Sequence, residues 1–204
     1  MNDTTEFDHW QARFAAPGYL FGTAPNAFLK SQAHRLRKGK TALALADGEG
    51  RNGVFLAEQG LDVLSVDFSP QAQIKARALA AQRGVALRVE QVDMTKWTWP
   101  AAVFDVVAAI FIQFATPPER AKIFAGIKLS LKPGGLLLMQ GYGLKQLDYK
   151  TGDPSDLARL YTRELLQNAF ADFTSLDIRE HDSVIQEGSG HAGMSALIDL
   201  VGWK

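Results

Sequence analysis

A chain of 204 residues, 47% of them hydrophobic, is long enough to bury one core between a sheet and two layers of helices. Lysine and arginine number 22 and are balanced by 22 aspartate and glutamate residues, so no net field favours nucleic acid or an anionic membrane. The absence of cysteine excludes disulfides, thiolate metal sites and cysteine nucleophiles, and we expect no bound metal.

The start of the chain and its most apolar stretch both argue against targeting to a membrane. Residues 1–7 are acidic and polar with no apolar core, which predicts no secretory signal. The longest apolar run, residues 103–111, contains Asp105 and is far too short for a membrane span. We therefore expect a cytoplasmic protein that has neither a membrane nor a nucleic acid as partner.

The middle of the chain alternates short β-branched runs with longer helical ones, the pattern of a parallel sheet covered by helices on both faces. The five predicted parallel strands are residues 41–46, 61–67, 85–93, 103–110 and 136–140, the last preceded by a tight turn at 132–135. Residues 173–185 and 193–203 are separated by a glycine-rich turn and predict an antiparallel hairpin at one end of the sheet. The predicted fold class is α/β, a Rossmann-like doubly wound sheet with a C-terminal hairpin.

We expect a single domain over residues 1–204, in which residues 1–40 form a helical arm or lid on a core of residues 41–204. The arm is dense in aromatic side chains, namely Phe7, Trp10, Phe14, Tyr19 and Phe21. Such a segment either packs permanently on the sheet or closes over a ligand to exclude water.

A glycine-rich segment that fits G-x-G-x-x-G follows the first predicted strand and opens a helix. Glycines let a backbone approach a ligand closely, and the exposed N–H groups of a helix start favour a negative or electron-rich group. The candidate cofactor residues in this segment are Asp47, Gly48, Glu49, Gly50, Arg51 and Asn52.

Two further carboxylates end neighbouring strands at the same edge of the predicted sheet. Asp67 closes the second strand 19 positions after Gly48, where it can accept from both ribose hydroxyls of a nucleoside and repels a 2′-phosphate. Asp93 closes the third strand, where it can accept from the exocyclic amine of an adenine while Met94 packs on the ring. Together they predict an adenine nucleoside lying across the strand ends.

The order of these pieces resembles that of the class I S-adenosylmethionine-dependent methyltransferases over roughly residues 40 to 204. The matching segments are the glycine loop, Asp67-Phe68-Ser69-Pro70, Val92-Asp93-Met94, Phe104-Asp105-Val106-Val107 and Leu131-Lys132-Pro133-Gly134-Gly135. The resemblance implies the seven-stranded methyltransferase fold and S-adenosylmethionine as cofactor. It also implies that Phe68, Ser69, Ala109 and Ile110 belong to the cofactor site.

Within that superfamily, the glycine loop and residues 54–60 resemble the tellurite-resistance and thiopurine methyltransferase-like branch, which acts on small acceptors. Residues 19–29 resemble the segment of those proteins whose aromatic side chains fold over the cofactor. The chain departs from the usual class I pattern at two positions. Ala44 stands where the first strand usually carries an acidic residue, and Ala46 stands where its turn usually begins with glycine.

The acceptor site is expected in the loops at the carboxyl ends of the fourth and fifth strands, residues 111–114 and 142–149. The candidate acceptor-binding residues are Tyr19, Phe21, Gln113, Tyr142 and Tyr149. His191 can act as a base near neutral pH, but the sequence favours a solvent-exposed histidine of the hairpin. Because no base motif is evident, the sequence favours a strong nucleophile such as a thiolate or a metalloid oxyanion.

The predicted function is methyl transfer from S-adenosylmethionine to a small-molecule acceptor, with no catalytic residue assigned. An NAD-dependent oxidoreductase is the first alternative, favoured by the glycine pattern and Asp67, although a Tyr-x-x-x-Lys pair is missing since Tyr142 and Lys145 are three apart. A catalytically silent nucleoside-binding module is the second, favoured by Ala44 and Ala46.

Overall fold

The computed structural model describes residues 6–152 and 156–204, and within them seven strands form one sheet in the order β3-β2-β1-β4-β5-β7-β6. The strands are β1 (Thr41–Leu45), β2 (Asp62–Asp67), β3 (Arg88–Gln91), β4 (Phe104–Ile110), β5 (Leu131–Tyr142), β6 (Ser175–Glu187) and β7 (His191–Trp203). Strands β1 to β5 are parallel, whereas β7 runs antiparallel to both β5 and β6. The predicted fold class and the C-terminal hairpin are confirmed.

Helices cover both faces of this sheet and bury its apolar residues in two separate layers. They are α1 (Glu6–Ala15), α2 (Ala27–Ser31), α3 (Arg51–Glu58), α4 (Pro70–Arg83), α5 (Pro117–Ser130), α6 (Gln146–Tyr149) and α7 (Arg163–Ala169). Short 3₁₀ turns occur at Ala33–Arg35 and Leu157–Arg159. The α2 and α3 side chains pack on one face and those of α5 and α7 on the other, as a doubly wound sheet requires.

The ends of α4 show how local sequence fixes a helix here. The Ser69 hydroxyl accepts from the backbone N–H of Ala72 at 3.2 Å, Pro70 occupies the first turn, and Gly84 ends the helix in the left-handed conformation at φ +67°. Because Ser69 directly follows β2, this cap places the start of α4 beside the carboxyl end of the sheet.

Two strands begin three or more residues away from their predicted starts. Strand β5 begins at Leu131 instead of residue 136, because the predicted turn is a bulge: Phe104 pairs with Leu131, and Val106 already pairs with Leu136. Strand β3 begins at Arg88 instead of residue 85, because the N–H of Val85 still donates to the carbonyl of Ala80 beyond the end of α4.

Residues 6–40 contain α1, α2 and one 3₁₀ turn. Residues 1–5 of the predicted arm, and residues 153–155 of the predicted loop after β5, lie outside the described residues. Across the described ranges, no helix has both the length and the apolar character needed to cross a membrane.

The glycine loop packs against α4 so closely that a side chain at Gly50 is excluded. Gly50 has φ +87°, and a Cβ atom there would lie 2.6 Å from the Cβ of Ala76. The substitution Gly50→Ala is expected to lower the free energy of unfolding by roughly 3 kcal/mol, the sum of left-handed strain and overpacking. Gly84→Ala is the matched control, because Gly84 has φ +67° but open space around it. It should cost only about 1 kcal/mol in urea unfolding. Equal losses in the two variants would contradict the packing argument.

Candidate functional site

The turn from β1 into α3 brings backbone N–H groups to the carboxyl edge of the sheet. Ala46, Gly48 and Gly50 all have positive φ, at +44°, +56° and +87°. Ala46 therefore adopts the left-handed backbone that a glycine would adopt without strain, so the chain keeps the turn despite the substitution. The ring of Phe14, from the arm, lies 3.3 Å from the position of a Cβ at Gly48 and covers the loop.

Asp67 connects this loop to the end of β2. Its carboxylate is buried, and it accepts from the backbone N–H of Gly48 and of Ser69, each at 2.9 Å. Burial raises the pKa of Asp67 to about 6, although the N–H donors oppose this rise. The structure thus brings together the glycine loop and the strand-end carboxylate that the sequence singled out.

Asp47 is a second buried carboxylate in the same turn. It accepts from the N–H of Gly53 at 3.1 Å and from the Ser65 hydroxyl at 2.7 Å, which fixes the first turn of α3 against β2. Burial is the main cause that raises its pKa to about 6, and the charge of Asp67 adds to it. Asp47 therefore stabilises the glycine loop by binding both α3 and β2.

The predicted adenine end of the site is more open. Asp93 lies two residues beyond β3, is 45% exposed at its side chain, and accepts from the backbone N–H of Thr95 at 3.0 Å. Burial is the largest single effect and raises the pKa of Asp93, but the hydrogen bonds from Thr95 and Lys96 together outweigh it and lower the pKa. Met94 is buried within the core, as are Ala109 and Ile110 at the end of β4.

Two loop side chains bind other parts of the protein. Glu49 accepts from the N–H of Leu20 at 2.6 Å and from the Lys75 ammonium at 2.8 Å. The Asn52 amide oxygen accepts from the N–H of Asn26 at 3.0 Å. These contacts hold the arm onto the loop. The arm also contacts the two residues that follow Asp67: Phe68 packs edge-on against Phe7, with ring centroids 5.5 Å apart, and Ser69 donates to Gln11.

Arg51 forms a buried ion pair with the hairpin. One guanidinium nitrogen, Nη2, lies 2.6 Å from Oε2 of Glu187, and both side chains are less than 10% exposed. Burial raises the pKa of Glu187, but His191 and Arg51 more than offset this and lower it to about 2. Sequence reasoning did not find Glu187, because nothing local distinguishes it from other charged residues of a hairpin.

Aromatic rings from the arm and from two strand ends surround His191. Its ring centroid lies 4.3 Å from that of Phe21, 4.4 Å from that of Phe111 and 5.9 Å from that of Tyr142. His191 is 7% exposed, so the expectation of a solvent-exposed hairpin histidine is wrong. The reason is that the start of β7 passes beneath the arm rather than into solvent.

The other predicted acceptor residues occupy different positions. Gln113 is buried, with its amide nitrogen donating to the carbonyls of Tyr142 at 2.9 Å and Arg159 at 3.1 Å, so it braces the end of β5. Tyr19 donates to the carbonyl of Lys75 at 3.3 Å on α4. Tyr149 lies on α6, where the ammonium of Lys145 is 5.2 Å from its ring centroid. Of the five candidates, Phe21 and Tyr142 are the two that the structure places in the ring cluster.

Known proteins match this chain over its central part. Residues 42–135 match a family described as "Methyltransferase domain". Demethylmenaquinone methyltransferase of Thermus thermophilus is 31% identical over 102 residues, which cover 49% of this chain and 46% of that protein. Hemagglutinin 1 of Eikenella corrodens is 29% identical over 141 residues, covering 68% and 45% respectively. The chain thus spans about half the length of the curated relatives it matches.

Solved structures match nearly the whole chain. TehB from Haemophilus influenzae superposes with a TM-score of 0.70 at 15% identity, covering 97% of this chain and 66% of TehB. Phosphoethanolamine N-methyltransferase 2 from Haemonchus contortus, in complex with S-adenosyl-L-methionine, gives 0.71 at 17% identity and covers 95% of this chain and 57% of that one. At these identities the likeness concerns the fold. Residues 42–135 thus match a methyltransferase domain, and the fold is the methyltransferase fold. Proteins of that fold include one solved in complex with S-adenosyl-L-methionine.

The residues at this edge of the sheet fit that cofactor. Gly48 and Gly50 leave room where side chains would fill the loop, and Asp67 presents a carboxylate beside it. Nη1 of Arg51 is a buried donor that lacks a hydrogen-bond partner within the described residues. A ligand carboxylate would satisfy this donor, and the Asp67 carboxylate, which already accepts from two backbone N–H groups, has lone pairs left for ribose hydroxyls.

The raised pKa of Asp47 predicts a specific dependence of stability on pH. Because its pKa in the folded state, about 6, exceeds the ordinary 3.8, its contribution to stability is complete below 3.8 and is lost as the pH rises through 6. Acidification from about pH 7.5 to about pH 5 should therefore stabilise the wild type relative to Asp47→Asn by roughly 1 to 2 kcal/mol. Urea unfolding at both pH values measures this difference. Asp62→Asn, at an exposed position of β2, should titrate like the wild type. If Asp47→Asn does so too, Asp47 is not the group responsible.

Proposed function

We propose that this protein transfers the methyl group of S-adenosylmethionine to a small-molecule acceptor, in the cytoplasm, and that it belongs to the tellurite-resistance and thiopurine methyltransferase-like branch. The observation that carries the proposal is the contact between Asp67 and the N–H of Gly48, which joins a ribose acceptor to the glycine loop on a methyltransferase fold. The branch assignment rests on the resemblance of the glycine loop, residues 54–60 and residues 19–29 to that branch.

Each part of the cofactor has a proposed set of ligands. Asp67 accepts from the ribose hydroxyls, and Asp93 accepts from the adenine amine. The glycine loop and Arg51 hold the methionine portion, whose carboxylate pairs with the guanidinium. Once bound, the cofactor supplies an electrophilic methyl group on a sulfonium. The protein's task is then to orient a nucleophile and to exclude water.

The aromatic arm suits the exclusion of water. Phe14 covers Gly48, while Trp10 stacks on Phe14 with ring centroids 5.6 Å apart and also approaches Phe21 at 6.2 Å. These rings close the site from the side opposite to the sheet. We propose that the arm is a mobile lid that orders fully when the cofactor binds.

The sheet order favours this function over the NAD-dependent alternative. A dinucleotide-binding sheet has the order 3-2-1-4-5-6 with strands in parallel, whereas here β7 enters antiparallel between β5 and β6. A second nucleotide half is therefore missing from the sheet that the described residues form.

A catalytically silent module differs from an enzyme only in turnover, so that alternative is tested by an activity assay.

Calorimetric titration with S-adenosylhomocysteine and with NAD tests the cofactor assignment. We expect binding of S-adenosylhomocysteine and none of NAD, and we expect Asp67→Asn to weaken the former by roughly 1.5 to 3 kcal/mol, since an acceptor for the ribose is lost. Asp62→Asn, at the other end of the same strand, is the matched control and should bind like the wild type. NAD binding as tight as that of S-adenosylhomocysteine would reject the proposal. An unchanged affinity in a folded Asp67→Asn protein would reject the ribose assignment.

Hydrogen exchange tests the lid. We expect the amides of residues 7–22 to gain protection when S-adenosylhomocysteine binds. The Lys75 ammonium donates to the carbonyls of Ala16 and Gly18 at 2.7 Å, so Lys75→Ala should raise exchange in the ligand-free protein. Arg77→Ala, two residues along α4, has a guanidinium that donates to Val89 and is the control. Protection that is already complete without ligand would show a permanently packed arm.

A further inference from the structure

His191 combines burial with a fixed orientation, which the sequence did not lead us to expect. It begins β7, is 7% exposed, and lies between the rings of Phe21 and Phe111. A histidine side chain that merely ends a hairpin strand would be hydrated. Here the surrounding rings hold the imidazole in a site from which water is excluded.

A carboxylate faces one nitrogen of this ring. Nδ1 of His191 lies 3.8 Å from Oε2 of Glu187, which also binds Arg51 at 2.6 Å. A carboxylate on this side favours the tautomer with the proton on Nδ1, and in that tautomer Nε2 is the nitrogen that can accept a proton. The side-chain amide of Asn26 also donates to Glu187, at 3.0 Å. The carboxylate that faces the His191 ring therefore has a defined position.

The same cluster lies next to the proposed position of the methionine portion. Phe21 contacts the His191 ring on one side and the Phe14 ring on the other, with centroids 4.3 and 6.4 Å apart, and Phe14 covers Gly48. Phe111 and Tyr142 follow the carboxyl ends of β4 and β5, where ligands of open α/β sheets bind. His191 therefore lies between the cofactor loop and the expected acceptor loops.

We propose that His191 is the catalytic base of the methyl transfer, that Glu187 is its positioning residue, and that the acceptor is a phenolic hydroxyl. This inference rests on the proposed function. The hydroxyl proton moves to Nε2 of His191 as an oxygen lone pair forms the bond to the methyl carbon. The electrons of the broken carbon–sulfur bond remain on sulfur, which leaves S-adenosylhomocysteine and an aryl methyl ether.

The chemistry of the site favours a phenol over other acceptors. The ordinary pKa of histidine, near 6.5, is within a few units of that of a phenol, near 10, whereas an aliphatic alcohol is far less acidic. A thiolate or an oxyanion needs no base, whereas a phenol at neutral pH does. The rings of Phe111 and Tyr142 can pack against the edge of an aromatic acceptor.

Two phenols of different acidity separate a base from a structural residue. 4-Methylphenol needs a base at neutral pH, whereas 4-nitrophenol is largely ionised already. With 4-methylphenol, His191→Gln should lower kcat/KM by about a hundred-fold or more, but with 4-nitrophenol by less than about five-fold. Loss of packing alone would reduce both rates alike. His34→Gln, an exposed histidine of the 3₁₀ turn at Ala33–Arg35, is the matched control and should change neither rate.

Glu187→Gln is a second variant, and the pH profile of its activity is an independent measurement. Glu187 on β6 and Tyr142 on β5 face His191, and Arg51 on α3 shares the Glu187 carboxylate with it. Glu187→Gln should lower kcat for 4-methylphenol more than it changes KM, and should shift the limb of the profile that reports ionisation of His191. Nitrogen-15 NMR of the histidine ring, without turnover, should show the proton on Nδ1 in the wild type and a redistribution in Glu187→Gln.

Failure of the His191 proposal and failure of the proposed methyltransferase function give different results. Failure to bind S-adenosylhomocysteine rejects the proposed function. Binding without transfer to either phenol, or transfer only to a thiol such as 6-mercaptopurine, overturns the phenolic acceptor and leaves the proposed function in place. Equal loss on both phenols in a folded His191→Gln protein, or a proton on Nε2 in the wild type, overturns the base.

Discussion

The carboxylate of Glu187 is the point at which three distant parts of the chain meet. It accepts from Arg51 at the start of α3, from the side chain of Asn26 and from the backbone N–H of Ala27. A buried ion pair adds little net stability compared with an apolar contact, but removing one partner costs roughly 3 to 5 kcal/mol because the other charge stays buried. The interaction therefore fixes where the hairpin lies relative to the glycine loop. The ring cluster depends on that position, since His191 follows Glu187 by one short turn.

A chain of polar contacts extends from this junction across the end of the sheet. The Asn26 amide donates to Gln140 at 2.7 Å, Gln140 donates to Asp199 at 2.6 Å, and Asp199 lies 3.0 Å from His181. Each of these side chains is at least half-buried, and each satisfies a neighbour that would otherwise be costly to desolvate. The hairpin, the arm and β5 are consequently joined by hydrogen bonds with defined directions, whereas apolar contacts alone would permit them to slide.

The sequence predicts those features that depend on residues close together in the chain, and it fails for those that depend on residues far apart. Strand β2 and helix α4 follow from local signals, such as the Ser69 cap and Gly84, and the hairpin follows from the missing helix between its strands. The bulge after Leu131 was predicted as a turn, because the same glycines serve either geometry and only the pairing with β4 decides. In the candidate site, the link between Asp67 and the glycine loop was predictable from spacing. The burial of His191 was not, because it results from contacts with Phe21 and Phe111, residues that lie 170 and 80 positions earlier in the chain.

Strain at the ends of the two central strands points to the same edge of the sheet. Ala46 follows β1 with φ +44°, and Phe111 follows β4 with φ +55°, conformations that cost a side chain roughly 1 to 2 kcal/mol each. Such backbone persists only where its surroundings fix it, and here Phe111 donates to the carbonyl of Gln140 at 2.8 Å while Asp47 accepts from Gly53. The first strained residue opens the loop proposed for the cofactor, and the second turns a ring toward His191. The two costs are therefore concentrated where the proposed reaction needs a close approach of backbone and of rings.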